Sequence, residues 1–89
     1  MDEVKIQRLK SIYSALDNKN RLKIIFLCQD KCFNVTELSK KLKLNYNITS
    51  EYIGMLVKSG LVSRTRNPDK TVTIKSLVKI RDNGTIKKI

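Results

Sequence analysis

Apolar residues recur along this chain at helical spacing through its first two thirds, and then the pattern changes to alternation. Ile6, Leu9, Ile12, Tyr13 and Leu16 stand three or four apart, which predicts an amphipathic helix over Asp2–Leu16 with one apolar stripe. Lys5, Arg8 and Lys10 fall off that stripe, and Asp2 and Glu3 suit the positive end of a helix. Asp17-Asn18-Lys19-Asn20 breaks the pattern and offers caps for a second helix running to about Gln29. Leu22 followed by Ile24-Ile25-Phe26-Leu27-Cys28 is apolar almost all round, the profile of a central helix touched on several sides. Asp30-Lys31 reads as a turn and Cys32-Phe33 as a very short strand.

Asn34 and Glu37 stand at capping-box spacing, so a third helix begins there and runs to Leu42. Val35, Leu38 and Leu42 are its buried face, and Lys40, Lys41 and Lys43 its wet face. Lys43-Leu44-Asn45 is a tight turn. Asn45 can cap a fourth helix, Tyr46–Ser59, stopped by Gly60 in the left-handed position just past its end. On that helix Thr49, Ile53 and Leu56, with Tyr52 and Val57, point inward. Tyr46, Asn47, Ser50, Glu51, Gly54 and Lys58 fall on the other side, with Ile48 and Met55 at the boundary.

Leu61–Arg66 and Thr71–Lys75 then alternate around Asn67-Pro68-Asp69-Lys70. Apolar Val62, Val72 and Ile74 are set against polar Arg64, Arg66, Thr73 and Lys75. The tail, 76–89, admits two readings. Asp82-Asn83-Gly84 can turn a second hairpin, or Asn83 can open a short final helix. The alternation of Val78, Ile80 and Ile86 with Lys79, Arg81 and Lys87 favours extended structure.

A second helix presented on a tight turn fits the DNA major groove, and a basic hairpin beside it can grip flanking phosphates. Charge supports a polyanion partner. The net charge is +11 with a pI near 10.0, and the excess is graded along the chain. Residues 1–30 carry six bases against four acids, 31–60 five against two, and 61–89 eight against two. A generally Lys-rich composition does not by itself predict that gradient.

Two segments are more specific. Ala15-Leu16-Asp17-Asn18-Lys19-Asn20-Arg21-Leu22-Lys23-Ile24-Ile25 resembles the A-L-x-[DN]-x-x-R-L-x-I-L opening of the arsenical-resistance-repressor (ArsR) family. Val35 to Leu44, and Leu56-Val57-Lys58-Ser59-Gly60-Leu61-Val62, resemble its V-x-E-L-A-x-x-L-x-L and L-x-x-x-G-L-V segments, and the similarity covers roughly residues 12–75. The resemblance implies a winged helix-turn-helix that binds double-stranded DNA and regulates transcription, usually as a homodimer. It makes 46–59 the recognition helix and 63–75 the wing. Asn45, Tyr46, Asn47, Ser50 and Glu51 would then face the DNA. Many family members sense metal through cysteines at the start of the third helix. Here those positions are Asn34 and Thr36, and the chain has no His, so no metal is expected.

The chemistry of these residues agrees. Asn47 can pair with adenine, Ser50 can contact several bases, and Glu51 can accept from cytosine. Tyr46 can meet a phosphate or a thymine methyl. Arg64, Arg66, Lys70 and Lys75 are expected at phosphates or in the minor groove. Lys40, Lys41 and Lys43 are candidates for the DNA backbone. Cys28 and Cys32 lack the further ligands a zinc site needs, which leaves a buried Cys28 and a semi-buried Cys32, with a disulfide as the minor alternative. Catalysis is not expected: no His, no glycine-rich phosphate loop and no paired carboxylates support it.

The sequence thus predicts a mostly α fold with a small antiparallel β wing (α+β), ordered helix-helix-short strand-helix-helix-strand-strand. It predicts a single domain over 1–89, with the helix-turn-helix at about 34–59, the wing at about 61–75 and a basic tail at 76–89. No cofactor, small-molecule substrate or membrane is expected, and no signal peptide or spanning segment is read, so the expected location is cytoplasmic. Ile6, Leu9 and Tyr13 have little else to cover them in so small a domain, which makes the first helix the expected homodimer interface. Two other readings remain open, a non-specific chromatin- or RNA-binding winged helix and a protein-interaction module.

Overall fold

The computed structural model describes residues 2–88. Its elements are α1 (Glu3–Leu16), α2 (Lys19–Asp30), α3 (Val35–Leu42), α4 (Tyr46–Lys58), β1 (Val62–Arg66), β2 (Val72–Ser76), β3 (Val78–Ile80) and β4 (Ile86–Lys88). Phe33 forms a single antiparallel bridge to Ile74, the very short strand read from the sequence. β1 pairs with β2 as the wing, and β3 with β4 as a separate hairpin.

The helix starts are decided locally. Asp2, Asn18, Asn34 and Asn45 each turn a side-chain oxygen onto an otherwise orphaned amide of the first turn. Asn34 and Glu37 form the full reciprocal capping box, at 2.7 and 3.0 Å. The end of α4 is equally well specified. The Leu61 amide reaches back to the Leu56 carbonyl (2.9 Å) and that of Gly60 to Val57 (3.0 Å), with Gly60 at φ +77°. This is the bond pair of a Schellman motif, and the buried Leu61 and Leu56 supply its apolar contact.

The core lies where α2 meets the other elements. α2 packs on α1, α3, α4, β2 and β3. Ile24, Ile25 and Cys28 are fully buried against Leu38, Ile53, Leu56, Val62 and Ile74. Each large aliphatic side chain so enclosed contributes roughly 1.5–3 kcal/mol of transfer free energy.

Several expectations need correction. α2 is touched on several sides as expected, but its apolar run is not buried all round, since Phe26 is 50 % exposed. It lies over a groove with Lys23, Leu27, Lys41 and Leu42, off the face that carries Ile24, Ile25 and Cys28. Val57 is exposed as well, one helical step beyond the arc of Thr49, Ile53 and Leu56. Cys32 is exposed because the chain has already left α2 there. Ala15, which the stripe reading passed over, is the fully enclosed residue of α1. β1 starts at Val62, not Leu61, and β2 at Val72, not Thr71. The Thr71 amide and hydroxyl turn away to Asp69, at 3.1 and 2.6 Å. The tail takes the extended alternative, with Gly84 at φ +84° in the turn. β3 is tied inward by the Ile80 amide on the Gln29 side-chain carbonyl (2.7 Å).

Candidate nucleic-acid interface

α3 and α4 approach closely because the polar groups between them are small and satisfied. Ser39 donates its hydroxyl to the Thr36 carbonyl (2.7 Å), and the buried Thr49 donates to Asn45 (2.9 Å). The turn between the helices repeats the Schellman bonding, Leu44 amide to Ser39 carbonyl and Lys43 amide to Lys40. Its left-handed position is held by Lys43, at φ +58°, where a side chain is strained.

Asn45 accepts the Ile48 amide on Oδ1 (2.8 Å). Its oxygen is thus committed to the cap, and only its amide nitrogen remains free to face outward. Tyr46 is 55 % exposed, Asn47 and Glu51 are exposed, and Ser50 is half-buried, all in the first two turns of α4. That end of the helix also carries the positive end of its dipole, which favours phosphate nearby.

The strand register revises the wing. Arg64 pairs with Ile74 and Arg66 with Val72. Residues directly opposite share a face, as do residues two apart. Arg64 and Arg66 therefore share the face of Val62, Val72 and Ile74, and do not oppose it. Toward the tip this inner face runs beyond the core and emerges beside α4, which is why its apolar positions give way to arginine. The Arg64 guanidinium lies on Gly54: a Cβ placed there would stand 3.6 Å from Nη2. The spacing on α4 places Gly54 only on the outward face, and a glycine inside a helix is the signal the sequence carries.

Lys75 pairs with Ser63 on the opposite face, so the pleat separates it from the two arginines. Lys70 sits at the tip at φ +71°. There Asn67 donates to the hydroxyls of Thr71 (3.0 Å) and Thr73 (2.8 Å). The Thr71 hydroxyl, and then its amide, holds the Asp69 carboxyl below its ordinary pKa. Lys40 and Lys43 are exposed beside the turn. Lys41 is drawn elsewhere, with Nζ 5.3 Å from the Phe33 ring centroid and its stem in the α2 groove.

Arg21, quoted above only as part of a motif, ties three helices together. Its Nε donates to the Ala15 carbonyl (2.7 Å) and Nη2 to Ser14 (3.1 Å). The guanidinium also sits 5.3 Å over the Tyr52 ring. It bonds two carbonyls in the last turn of α1, and its guanidinium is engaged by α1 and α4.

Ile6, Leu9 and Tyr13 remain uncovered on α1, at 36, 53 and 65 % exposure, with Val4 beside them. Cys28 is enclosed, and burial, followed by the nearby Cys32, pushes its thiol up to about 12. Among the described residues no group of three or more His, Cys, Asp or Glu lies together. No helix among them is long and apolar enough to cross a membrane.

A family model described as winged helix-turn-helix matches residues 20–82. HlyU from Vibrio cholerae superposes with a TM-score of 0.72 at 27% identity, over 84% of this chain and 80% of that one. A transcriptional regulator HlyU from Vibrio vulnificus gives 0.67 at 26% identity, over 83% and 76%. A homodimeric winged helix-turn-helix DNA-binding domain from Mycobacterium bovis, titled a possible ArsR-family transcriptional regulator, gives 0.77 at 19% identity, over 85% and 72%. No curated protein sequence matches the chain.

Proposed function

The chain belongs to the winged helix-turn-helix family, and from that premise we propose that it is a sequence-specific transcription regulator acting on double-stranded DNA as a homodimer. It shares its fold with the transcriptional regulator HlyU from Vibrio vulnificus. In this reading the first two turns of α4 enter the major groove, with Tyr46, Asn47, Ser50 and Glu51 toward base edges and the Asn45 amide nitrogen beside them. Arg64 and Arg66 reach the flanking minor groove or backbone. Lys40, Lys43, Lys70 and Lys75 neutralise phosphates. Lys41, held at Phe33, is the weakest member of the set. α1 pairs with a second copy through Ile6, Leu9 and Tyr13, as the homodimeric state of the Mycobacterium bovis domain suggests. In this reading the protein acts in the cytoplasm.

One observation carries this reading. Arg64 rests on Gly54, so wing and recognition helix present one continuous surface. The test is a titration against the chain's own promoter DNA and a scrambled duplex of equal length, at low and physiological salt. We expect a promoter preference on the order of a hundredfold that survives physiological salt. Equal binding that collapses as salt rises would identify a general coating protein. Binding to neither duplex would identify a protein-docking module.

A further inference from the structure

The wing uses four of the eight bases in residues 61–89; Lys79, Arg81, Lys87 and Lys88 lie on the other hairpin. We infer that β3–β4 is a second polyanion-binding surface, which takes the phosphate backbone of a second duplex while α4 holds the first. The inference goes beyond the proposed function and rests on it only for the first duplex.

The pairing of the hairpin carries it. Lys79 stands directly across from Lys87, so two ammonium groups share one face of a ladder only three residue pairs long. Like charges so placed destabilise a hairpin, and a two-stranded hairpin is marginal to begin with. Burial accounts for only part of β4: Ile86 is 38 % exposed beside α1, and Lys87 and Lys88 are exposed. The inward anchors, Val78 and the bond from Ile80 to Gln29, belong to β3. Beyond Ile86, β4 adds Lys87 and Lys88. They line a trough with Lys79 and Arg81, in which Asp82 is the one acidic residue. A phosphate between Lys79 and Lys87 would turn their repulsion into two charge-assisted hydrogen bonds.

Placement makes this a separate site. Ile86 and Lys88 sit with Lys58, Ser59 and Gly60 at the C-terminal end of α4 and with Leu9 and Tyr13 of α1, and the pleat puts Lys79 and Lys87 on the other face of the hairpin, away from that groove. Tyr46 and Asn47 are at its start, and the 13-residue helix between spans about 20 Å. A duplex lying across the first turns of α4 leaves the trough open.

The experiment holds the full chain on an immobilised promoter duplex at physiological salt and offers a labelled second duplex. Wild type is expected to retain it. Lys79→Gln with Lys87→Gln should retain at least about fivefold less and lower the slope of log affinity against log salt for the second duplex by about two. The same variant should bind the first duplex within about threefold and melt no lower than wild type, because a repulsive pair has been removed. Failure of wild type to retain a second duplex overturns the inference. So does unchanged retention by the variant, or an equal loss of both duplexes. Retention of single-stranded RNA or phosphatidylglycerol vesicles in place of the second duplex overturns it too. If wild type does not hold the first duplex, the α4 reading fails instead. The hairpin is then judged by free-solution titration with the same duplex. Binding lost in the Lys79/Lys87 variant but kept in Arg64→Ala with Arg66→Ala supports it, and equal binding in both overturns it.

Discussion

Replacing Arg21 should unfold the domain more readily without touching the DNA surface. Its guanidinium caps α1 through Ala15 and Ser14 and covers Tyr52 of α4. Truncation to Ala leaves two helix-end carbonyls without their charged donor. For a partly exposed site each bond is worth about 1–1.5 kcal/mol, below the range for fully buried charged pairs. The ring contact adds about 0.5–1 kcal/mol. The expected loss is therefore roughly 2.5–4 kcal/mol, a fall in Tm of about 10–30 °C for a domain of this size. Arg21→Lys keeps the charge but not the fork that spans both carbonyls, and should fall between wild type and Arg21→Ala. Tyr52→Leu isolates the ring contact, and the double-mutant cycle with Arg21→Ala should return a coupling of about 0.5–1 kcal/mol. Thermal and urea unfolding followed by circular dichroism supply these values. Well below the melting range, Arg21→Ala should bind promoter DNA within about twofold of wild type. A Tm loss under about 3 °C, or an Arg21→Lys variant as stable as wild type, would refute the capping role. A large affinity loss in a fully folded Arg21→Ala would put the side chain on the DNA instead.

Lys43→Gly relieves the left-handed strain at φ +58° and should raise stability by about 1 kcal/mol. It should at the same time weaken DNA binding and reduce the salt slope by about one, read by unfolding and by titration on one preparation. Gly54→Ala meets Arg64 at an ordinary 3.6 Å and gains helix propensity, so we expect about 0.5–1 kcal/mol more stability. Promoter affinity should stay unchanged, whereas Gly54→Phe should displace Arg64 and lower it. A thiol reagent should modify Cys32 at once and Cys28 only on unfolding. The raised thiol also gives a pH signature. Below 9.0 folded and unfolded chains both hold the Cys28 proton, and between 9.0 and about 12 only the folded chain does. Unfolding free energy should thus fall as pH rises through that window. Wild type should lose about 1.4 kcal/mol more than Cys28→Ala between about pH 8 and about pH 10 in urea titrations.

Features settled by a few neighbouring residues are legible in the chain alone. Asn34 with Glu37, Asn45 and Gly60 set helix ends because caps act within one turn of chain. The spacing of Leu38, Ile53 and Leu56 marked buried faces because helical periodicity is a local property. Element order and the helix-turn-helix with its basic hairpin followed from these. The tertiary structure decided what depends on residues distant in sequence. The parity of Val62, Arg64 and Arg66 put them on one face. That this face leaves the core and overhangs α4 depends on how the wing docks. Phe26 and Val57 are apolar residues on helices with buried faces, yet only the neighbouring elements decide which arc is covered. Arg21 reads as one more surface base until α1 and α4 are brought against it. The tail offered strand and helix alike. Val78 in the core and Gln29 on the Ile80 amide selected the strand, because a three-residue ladder is too weak to choose its own conformation.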